Sequence, residues 1–113
     1  MIGNGCYLST KEHNTSLIIW NGCGLSRNVK IMTSDGHPIY KNRQRINFSK
    51  DIKIENNVWI ADNVTILKGT IVGSGSVVGI NSTVTKNIEA HSIVVGNPAK
   101  VVKRDIVWMD KFE

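Results

Sequence analysis

The chain has 113 residues, a length that suits a single domain, and its formal net charge is +5. There are 15 Ile and 12 Val but only 4 Leu and 3 Ala, a balance that favours β-strands over a helical bundle. No long apolar run predicts a transmembrane helix, and the start of the chain lacks signal-peptide features. With two cysteines and no zinc-binding spacing, we expect a cytoplasmic protein without a metal.

The first third of the chain shows apolar residues that return after short turns, which the 10 Gly and 12 Asn can supply. The residues that open these units are Ile2, Ile19, Leu25 and Ile31. A segment without the pattern covers about residues 9–18. Cys6 and Cys23 both occupy the fifth position of a unit, so we predict that they belong to the core. Because the pattern starts so early, we expect the open first coil to meet a partner or an earlier segment.

A second interruption covers residues 36–47, with His37 at its first bend. Insertions into a regular repeat usually serve function. Asp35 lies two positions before His37, and side chains two apart on an extended segment face the same side. We therefore expect Asp35 to orient the His37 imidazole. The same stretch carries three cations, which either form a solvated face or attract an acidic glycan: Lys41, Arg43 and Arg45.

The middle of the chain contains a strict six-residue repeat. An apolar residue opens each unit at Ile54, Ile60, Ile66, Val72, Val78 and Val84. The fifth position is small or β-branched at Val58, Val64, Thr70, Ser76, Ser82 and Ile88. After this run the register slips by two residues. Neither the period of a strand nor that of a helix gives six, whereas a triangular coil of three units does, with coils stacked about 4.8 Å apart.

The repeat predicts one β-domain over residues 1–103, with 36–47 as an inserted loop. The last ten residues differ, because Trp108, Met109 and Phe112 have a spacing compatible with a helix. We predict a short C-terminal helix over residues 104–113 that covers the end of the coil.

The six-residue units resemble the left-handed parallel β-helix of the hexapeptide-repeat acyltransferases, whose units read aliphatic, small, any, any, small, any. Three motifs are similar to those of the O-acetyltransferases that modify sugars, particularly cell-surface polysaccharides. They are Ser34–Ile39, Val58–Ile60 and Asn97–Lys100. The resemblance implies an all-β, left-handed parallel β-helix and an acetyl-CoA-dependent enzyme. It also implies a homotrimer with active sites between subunits.

The same resemblance implies roles for individual residues. His37 is the general base that deprotonates a sugar hydroxyl, and Trp59 lines the same site as a hydrogen-bond donor. The residues expected beside coenzyme A are Gly79, Thr85, Lys86, Lys100 and Lys103. The last two are cations suited to its phosphates.

Other functions remain open at this point. The acceptor is either a polysaccharide or a small molecule such as serine, an antibiotic or a simple sugar, and a non-catalytic β-helix module is a further alternative. A metal enzyme of the γ-carbonic anhydrase type is disfavoured, since His13, His37 and His91 lack the spacing of a ligand set. We expect His13 and His91 to be solvated. Nucleic acid is not an expected partner, because the cations are thinly spread and lack interleaved aromatic residues.

Overall fold

A computed structural model describes residues 1–12 and 14–112 of the chain. Its regular structure consists of fourteen short strands, and no helix occurs in these two ranges. The strands are β1 (Tyr7–Ser9), β2 (Leu17–Ile19), β3 (Gly24–Leu25), β4 (Lys30–Met32), β5 (Tyr40–Lys41), β6 (Gln44–Arg45), β7 (Ile52–Ile54), β8 (Trp59–Ile60), β9 (Thr65–Ile66), β10 (Ile71–Val72), β11 (Val77–Val78), β12 (Thr83–Val84), β13 (Ile93–Gly96) and β14 (Ala99–Lys103).

Three sheets form the sides of a triangular prism. Sheet I has the order β1-β4-β9-β12, sheet II β2-β7-β10 and sheet III β3-β8-β11-β13-β14. All pairs within them are parallel except β13–β14, which is antiparallel. From β1 to β4 and again from β7 to β12, consecutive strands belong to successive sheets, so the chain winds around the prism once per coil. We call the corners where it passes between sheets the I–II, II–III and III–I edges.

The six-residue register is confirmed by the strand pairing and by burial. Trp59 pairs with Val77, and Thr65 with Thr83, each 18 residues along the chain. The unit-opening residues from Ile54 to Val84 are all buried, with at most 1% of their surface exposed. Each such side chain contributes roughly 1.5–3 kcal/mol by leaving water. The core therefore runs the length of the prism as a column of β-branched side chains.

Turn residues stack in columns along the edges. At the III–I edge Asn28, Asn63 and Asn81 have φ of 56°, 60° and 60°, and Gly5 precedes them with φ 75°. This left-handed conformation turns the chain sharply and is tolerated by Asn and Gly better than by other residues. His91 has φ 57° at the II–III edge and is exposed, as expected for a solvated histidine. His13 lies outside the described residues.

The two interruptions of the repeat are insertions at the I–II edge. Leu8 pairs with Ile31, 23 residues apart, so the first coil carries five additional residues. Leu25 pairs with Ile60, 35 residues apart, so the second carries 17. The ends of this larger insertion meet, since the Lys50 amide donates to the Thr33 carbonyl at 2.9 Å. The inserted segment is thus longer than the predicted 36–47.

The larger insertion contains a hairpin that the sequence analysis did not predict. Strands β5 and β6 pair across Asn42 and Arg43, which have φ of 52° and 64°. Two successive positive φ values are typical of the type I′ turn. The register slip after Val84 is confirmed, because Val78 pairs with Val94, 16 residues on.

The predicted C-terminal helix is not found in residues 104–112, which have no regular structure. Instead, β14 folds back on β13, and the segment after it runs along the II–III edge. There the Ile106 amide donates to the His91 carbonyl at 3.0 Å, and the Trp108 indole to the Asn57 carbonyl at 2.6 Å. A helix this short is marginal in water by itself, so such anchoring contacts decide its conformation.

Candidate functional site

The I–II edge gathers the polar side chains that the sequence analysis singled out around His37. Four segments follow one another along this edge: 10–12 with 14–16, 33–51, 67–70 and 85–87. Each leaves a strand of sheet I and leads to the side of sheet II, the last one to Ile88, which bridges Val72 of β10. Residues far apart in sequence thereby become neighbours. A pocket at this edge is lined by residues that include Lys11, Asp35, Gly36 and Lys68.

His37 is exposed on the outer part of the larger insertion. Its backbone carbonyl accepts a hydrogen bond from Asn47 Nδ2 at 2.8 Å. The next residue, Pro38, has a fixed φ and no amide hydrogen to donate. The imidazole is therefore presented to solvent from a tethered backbone.

Asp35 does not hydrogen-bond the His37 ring in the structure. Its Oδ2 instead accepts from Lys68 Nζ at 2.7 Å and from Asn47 Nδ2 at 3.0 Å. The hydrogen bond from Lys68 is the main reason why the pKa of Asp35 lies below its ordinary value of 3.8. The carboxylate thus links the insertion to the following coil, where Lys68 joins β9 to β10.

A second carboxylate, Glu12, which the sequence analysis missed, connects the smaller insertion to the larger one. Glu12 belongs to the smaller insertion and accepts hydrogen bonds from Ser34 Oγ and, at 2.6 Å, from Arg45 Nη2. These bonds, the one from Ser34 first, lower the pKa of Glu12. No local motif marks Glu12, because its partners come from the next coil. Arg45 is thereby a structural cation, whereas Lys41 and Arg43 are exposed at the hairpin.

Trp59 lies on a different side of the prism, at the start of β8 in sheet III. The residue is 41% exposed, and Nε1 makes only a long hydrogen bond of 3.4 Å to Ser26 Oγ. Trp108 packs against it with ring centroids 6.1 Å apart. Both rings line a cavity of about 400 Å³ together with Met1, Cys23 and Phe112, among others. The structure does not bring Trp59 and His37 together within one chain.

The residues expected beside coenzyme A fall into two groups. Thr85 and Lys86 are exposed at the I–II edge, one coil beyond Lys68. Lys100 and Lys103 are exposed on β14 of sheet III. Gly79 follows β11 at the III–I edge, where an added Cβ would collide with the Val95 side chain. A small residue is therefore required there for packing alone.

Cys6 and Cys23 are free, half-buried and packed against the core, as predicted. Their thiols donate to the carbonyls of Ser26 and Glu55. No cluster of three or more potential metal ligands occurs among residues 1–12 and 14–112. Nor do these residues include a helix with the length and apolarity needed to cross a membrane.

The chain is similar in sequence to known transferases with hexapeptide repeats. Residues 51–86 match the family model of the bacterial transferase hexapeptide, with six repeats. The polysialic acid O-acetyltransferase of Escherichia coli O1:K1 / APEC is 45% identical over 109 residues, which are 95% of this chain and 35% of that relative. The resemblance stated from the motifs is confirmed.

Solved structures agree with this result. The polySia-specific acetyltransferase NeuO matches with a TM-score of 0.92 and 44% identity, over 99% of this chain and 53% of that chain. A galactoside acetyltransferase in complex with coenzyme A matches with a TM-score of 0.74 and 28% identity, over 91% of this chain and 54% of that chain. The present chain thus spans about a third of the curated relative and about half of these two structures.

Proposed function

We propose that this chain, which belongs to the hexapeptide-repeat transferase family, is an acetyl-CoA-dependent O-acetyltransferase. Its coil is the left-handed parallel β-helix of that family. The proposed acceptor is a hydroxyl of a cell-surface polysaccharide. The observation that carries this proposal is the 45% identity with the polysialic acid O-acetyltransferase, which extends over 95% of the chain. The exposed histidine on the larger insertion supports it, because acyl transfer to a hydroxyl needs a base near neutral pH.

In the proposed reaction His37 is the general base. Its neutral imidazole accepts the proton of the sugar hydroxyl while the oxygen attacks the thioester carbonyl, and the imidazolium returns that proton to the departing thiolate. Acetyl-CoA supplies the activated acetyl group. The thioester carbonyl oxygen gains negative charge during this attack. The Trp59 indole is suited to donate a hydrogen bond to it, since the indole's hydrogen bond to Ser26 is long.

The chain also has residues that fit coenzyme A. Lys100 and Lys103 are exposed cations on one strand, and none of the ion pairs found within the described residues involves them. Such side chains suit phosphate groups. Thr85 and Lys86 lie on the same edge of the prism as His37. This placement favours an acetyl-CoA molecule that lies along the edge with its thioester directed towards His37. The coenzyme A complex of the galactoside acetyltransferase supports this assignment.

We further propose that the chain acts as a homotrimer with its sites between subunits. His37 lies at the I–II edge and Trp59 on sheet III, so one prism cannot offer both to one substrate. A neighbouring copy would supply the second residue. The cytoplasm is the proposed location, because it suits two free thiols. Fractionation and light scattering test these two statements.

The base assignment is tested by His37→Ala. We expect turnover to fall by about 10²- to 10⁴-fold, as for loss of a general base, while coenzyme A binding measured by calorimetry stays nearly unchanged. His91→Asn is the matched control, since it removes another exposed histidine at a position where Asn tolerates the positive φ. Equal loss of turnover and coenzyme A binding in His37→Ala would argue against the base role.

The acceptor is tested with labelled acetyl-CoA and a panel of hydroxyl compounds. An acidic polysaccharide, a neutral polysaccharide, a simple sugar and serine are compared at equal concentrations of acceptor units. We expect the acidic polysaccharide to be preferred, because Lys41 and Arg43 are exposed at the hairpin beside His37. Transfer to serine or a simple sugar alone would favour the small-acceptor alternative.

A further inference from the structure

The side chain of Asn47 is the centre of the loop that carries His37. Asn47 ends the hairpin segment, and only 7% of its surface is exposed. Its Oδ1 accepts hydrogen bonds from the Ile39 amide at 2.6 Å and, more weakly, from Arg45 Nε at 3.5 Å. Its Nδ2 donates to the His37 carbonyl at 2.8 Å and to Asp35 Oδ2 at 3.0 Å. All the hydrogen-bonding capacity of the amide is used.

This pattern allows only one orientation of the amide group. With oxygen and nitrogen exchanged, the NH₂ would face the Ile39 amide hydrogen and the oxygen would face the two acceptors of His37 and Asp35. The buried amide of Asn47 would then lose its hydrogen-bond partners and face like groups instead, at a cost of about 1–3 kcal/mol. The side chain therefore fixes the backbone on both sides of Pro38, which has no amide hydrogen of its own.

A second set of contacts ties this loop to the body of the prism. Asp35 receives hydrogen bonds from both Asn47 and Lys68, and Lys68 lies in the next coil at the same edge. Lys68 Nζ, the Asp35 carboxylate, the Asn47 amide and the His37 carbonyl thus form a continuous chain of hydrogen bonds. We call these four residues the loop clasp. Through it, the position of His37 depends on the regular coil instead of on the hairpin alone.

We propose that Asn47 is a positioning residue for the reaction, which holds the His37 backbone through the loop clasp so that the imidazole meets the acceptor hydroxyl. This inference rests on the proposed function of His37. Asn47 itself touches no reacting atom, because it is buried beneath the loop. Its contribution is therefore to the geometry of proton transfer, and a small displacement of a catalytic group is enough to cost about 10²-fold in rate.

The test is Asn47→Asp, which has nearly the same shape. The variant keeps an acceptor for the Ile39 amide but loses both donations, to His37 and to Asp35, and it places two carboxylates together. We expect kcat to fall by about 10- to 100-fold with KM for acetyl-CoA within about two-fold of the wild-type value. Ser76→Ala is the control, since Ser76 is a buried polar residue whose hydrogen bond to Glu89 lies at the II–III edge. It should lower stability without changing kcat.

Two further variants separate positioning from simple loss of folding. Asp35→Asn combined with Asn47→Asp restores one amide–carboxylate pair and removes the repulsion, so part of the lost kcat should return. Lys68→Met acts from outside the loop and should lower kcat less than Asn47→Asp while leaving the melting temperature nearly unchanged.

The outcomes are distinct. If His37→Ala abolishes turnover but Asn47→Asp and Lys68→Met keep wild-type kcat, the positioning role is wrong and the proposed function stands. If His37→Ala retains turnover, the base assignment on which this inference rests is wrong. If kcat of Asn47→Asp per folded enzyme equals the wild-type value, as expected for Ser76→Ala, Asn47 is a structural residue and the inference is overturned.

Discussion

At the scale of single residues, the carboxylates near His37 act as links between coils. Asp35 joins the larger insertion to Lys68, and Glu12 joins the smaller insertion to Ser34 and Arg45. Both pKa values are lowered by these hydrogen bonds. A group whose pKa is lower in the folded state stabilises the fold above its unfolded pKa, and this stabilisation is lost as the pH falls through the folded value. The links are thus intact at neutral pH and lost only in acid.

Lys68→Met should raise the pKa of Asp35 towards its ordinary value of 3.8, because the largest lowering contribution is the hydrogen bond from Lys68. The titration of the Asp35 carboxyl carbon, followed by NMR, measures this shift. Lys30→Met is the matched control, since it removes an equal charge from a side chain that lies beside Asn28 and Asn63. An Asp35 titration unchanged by Lys68→Met would show that the link is absent in solution.

At the scale of elements, most units combine a strand of two or three residues with a turn in the left-handed conformation. The strand presents one buried β-branched side chain, and the turn supplies the corner of the prism. This division explains why Ile and Val are abundant together with Asn and Gly. The hairpin of β5 and β6 and the irregular segment after β14 do not share the repeat. Their conformations depend on contacts made by Asn47 and Trp108 with other coils.

Asn63 is an exposed turn residue at the III–I edge with φ 60°. Replacing it is expected to cost stability in proportion to how poorly the new residue tolerates this φ. Asn63→Ala should lower the free energy of unfolding by about 1–2 kcal/mol relative to Asn63→Gly, because a Cβ without a polar side chain disfavours this conformation. Unfolding in urea, monitored by circular dichroism, measures the difference. Equal stability of the two variants would mean that the backbone conformation of the corner contributes nothing.

At the scale of the whole molecule, the chain has extents of 57 × 26 × 21 Å. Its prism presents different chemistry on different sides. The His37 loop and the Thr85–Lys86 pair share the I–II edge, whereas Trp59 and the cations of β14 belong to sheet III. Rotating copies about a threefold axis brings unlike sides of neighbouring prisms together. The proposed active site between subunits is the arrangement that reconciles these positions.

Mixed trimers test this arrangement directly. His37→Ala and Trp59→Ala chains are co-expressed with different tags, and each is also expressed by itself. If each site takes the two residues from adjacent subunits, random mixing of equal amounts restores about a quarter of wild-type sites, whereas each parent is nearly inactive. A mixture that is no more active than its parents would mean that one subunit supplies both residues.

The sequence by itself determined the coil, its register and its core, because the six-residue period follows from local conformational preferences and one repeated pattern of burial. It also indicated the insertion, His37 and the slip after Val84. Only the tertiary structure decided the partners of Asp35, the hydrogen bonds of Asn47 and Glu12, and the contact of Trp108 with Trp59. These contacts join different coils, or fold a terminal segment back onto them, and such pairings of side chains leave no periodic signal along the chain. The predicted C-terminal helix failed for the same physical reason, since a weak local preference gave way to anchoring by another part of the prism.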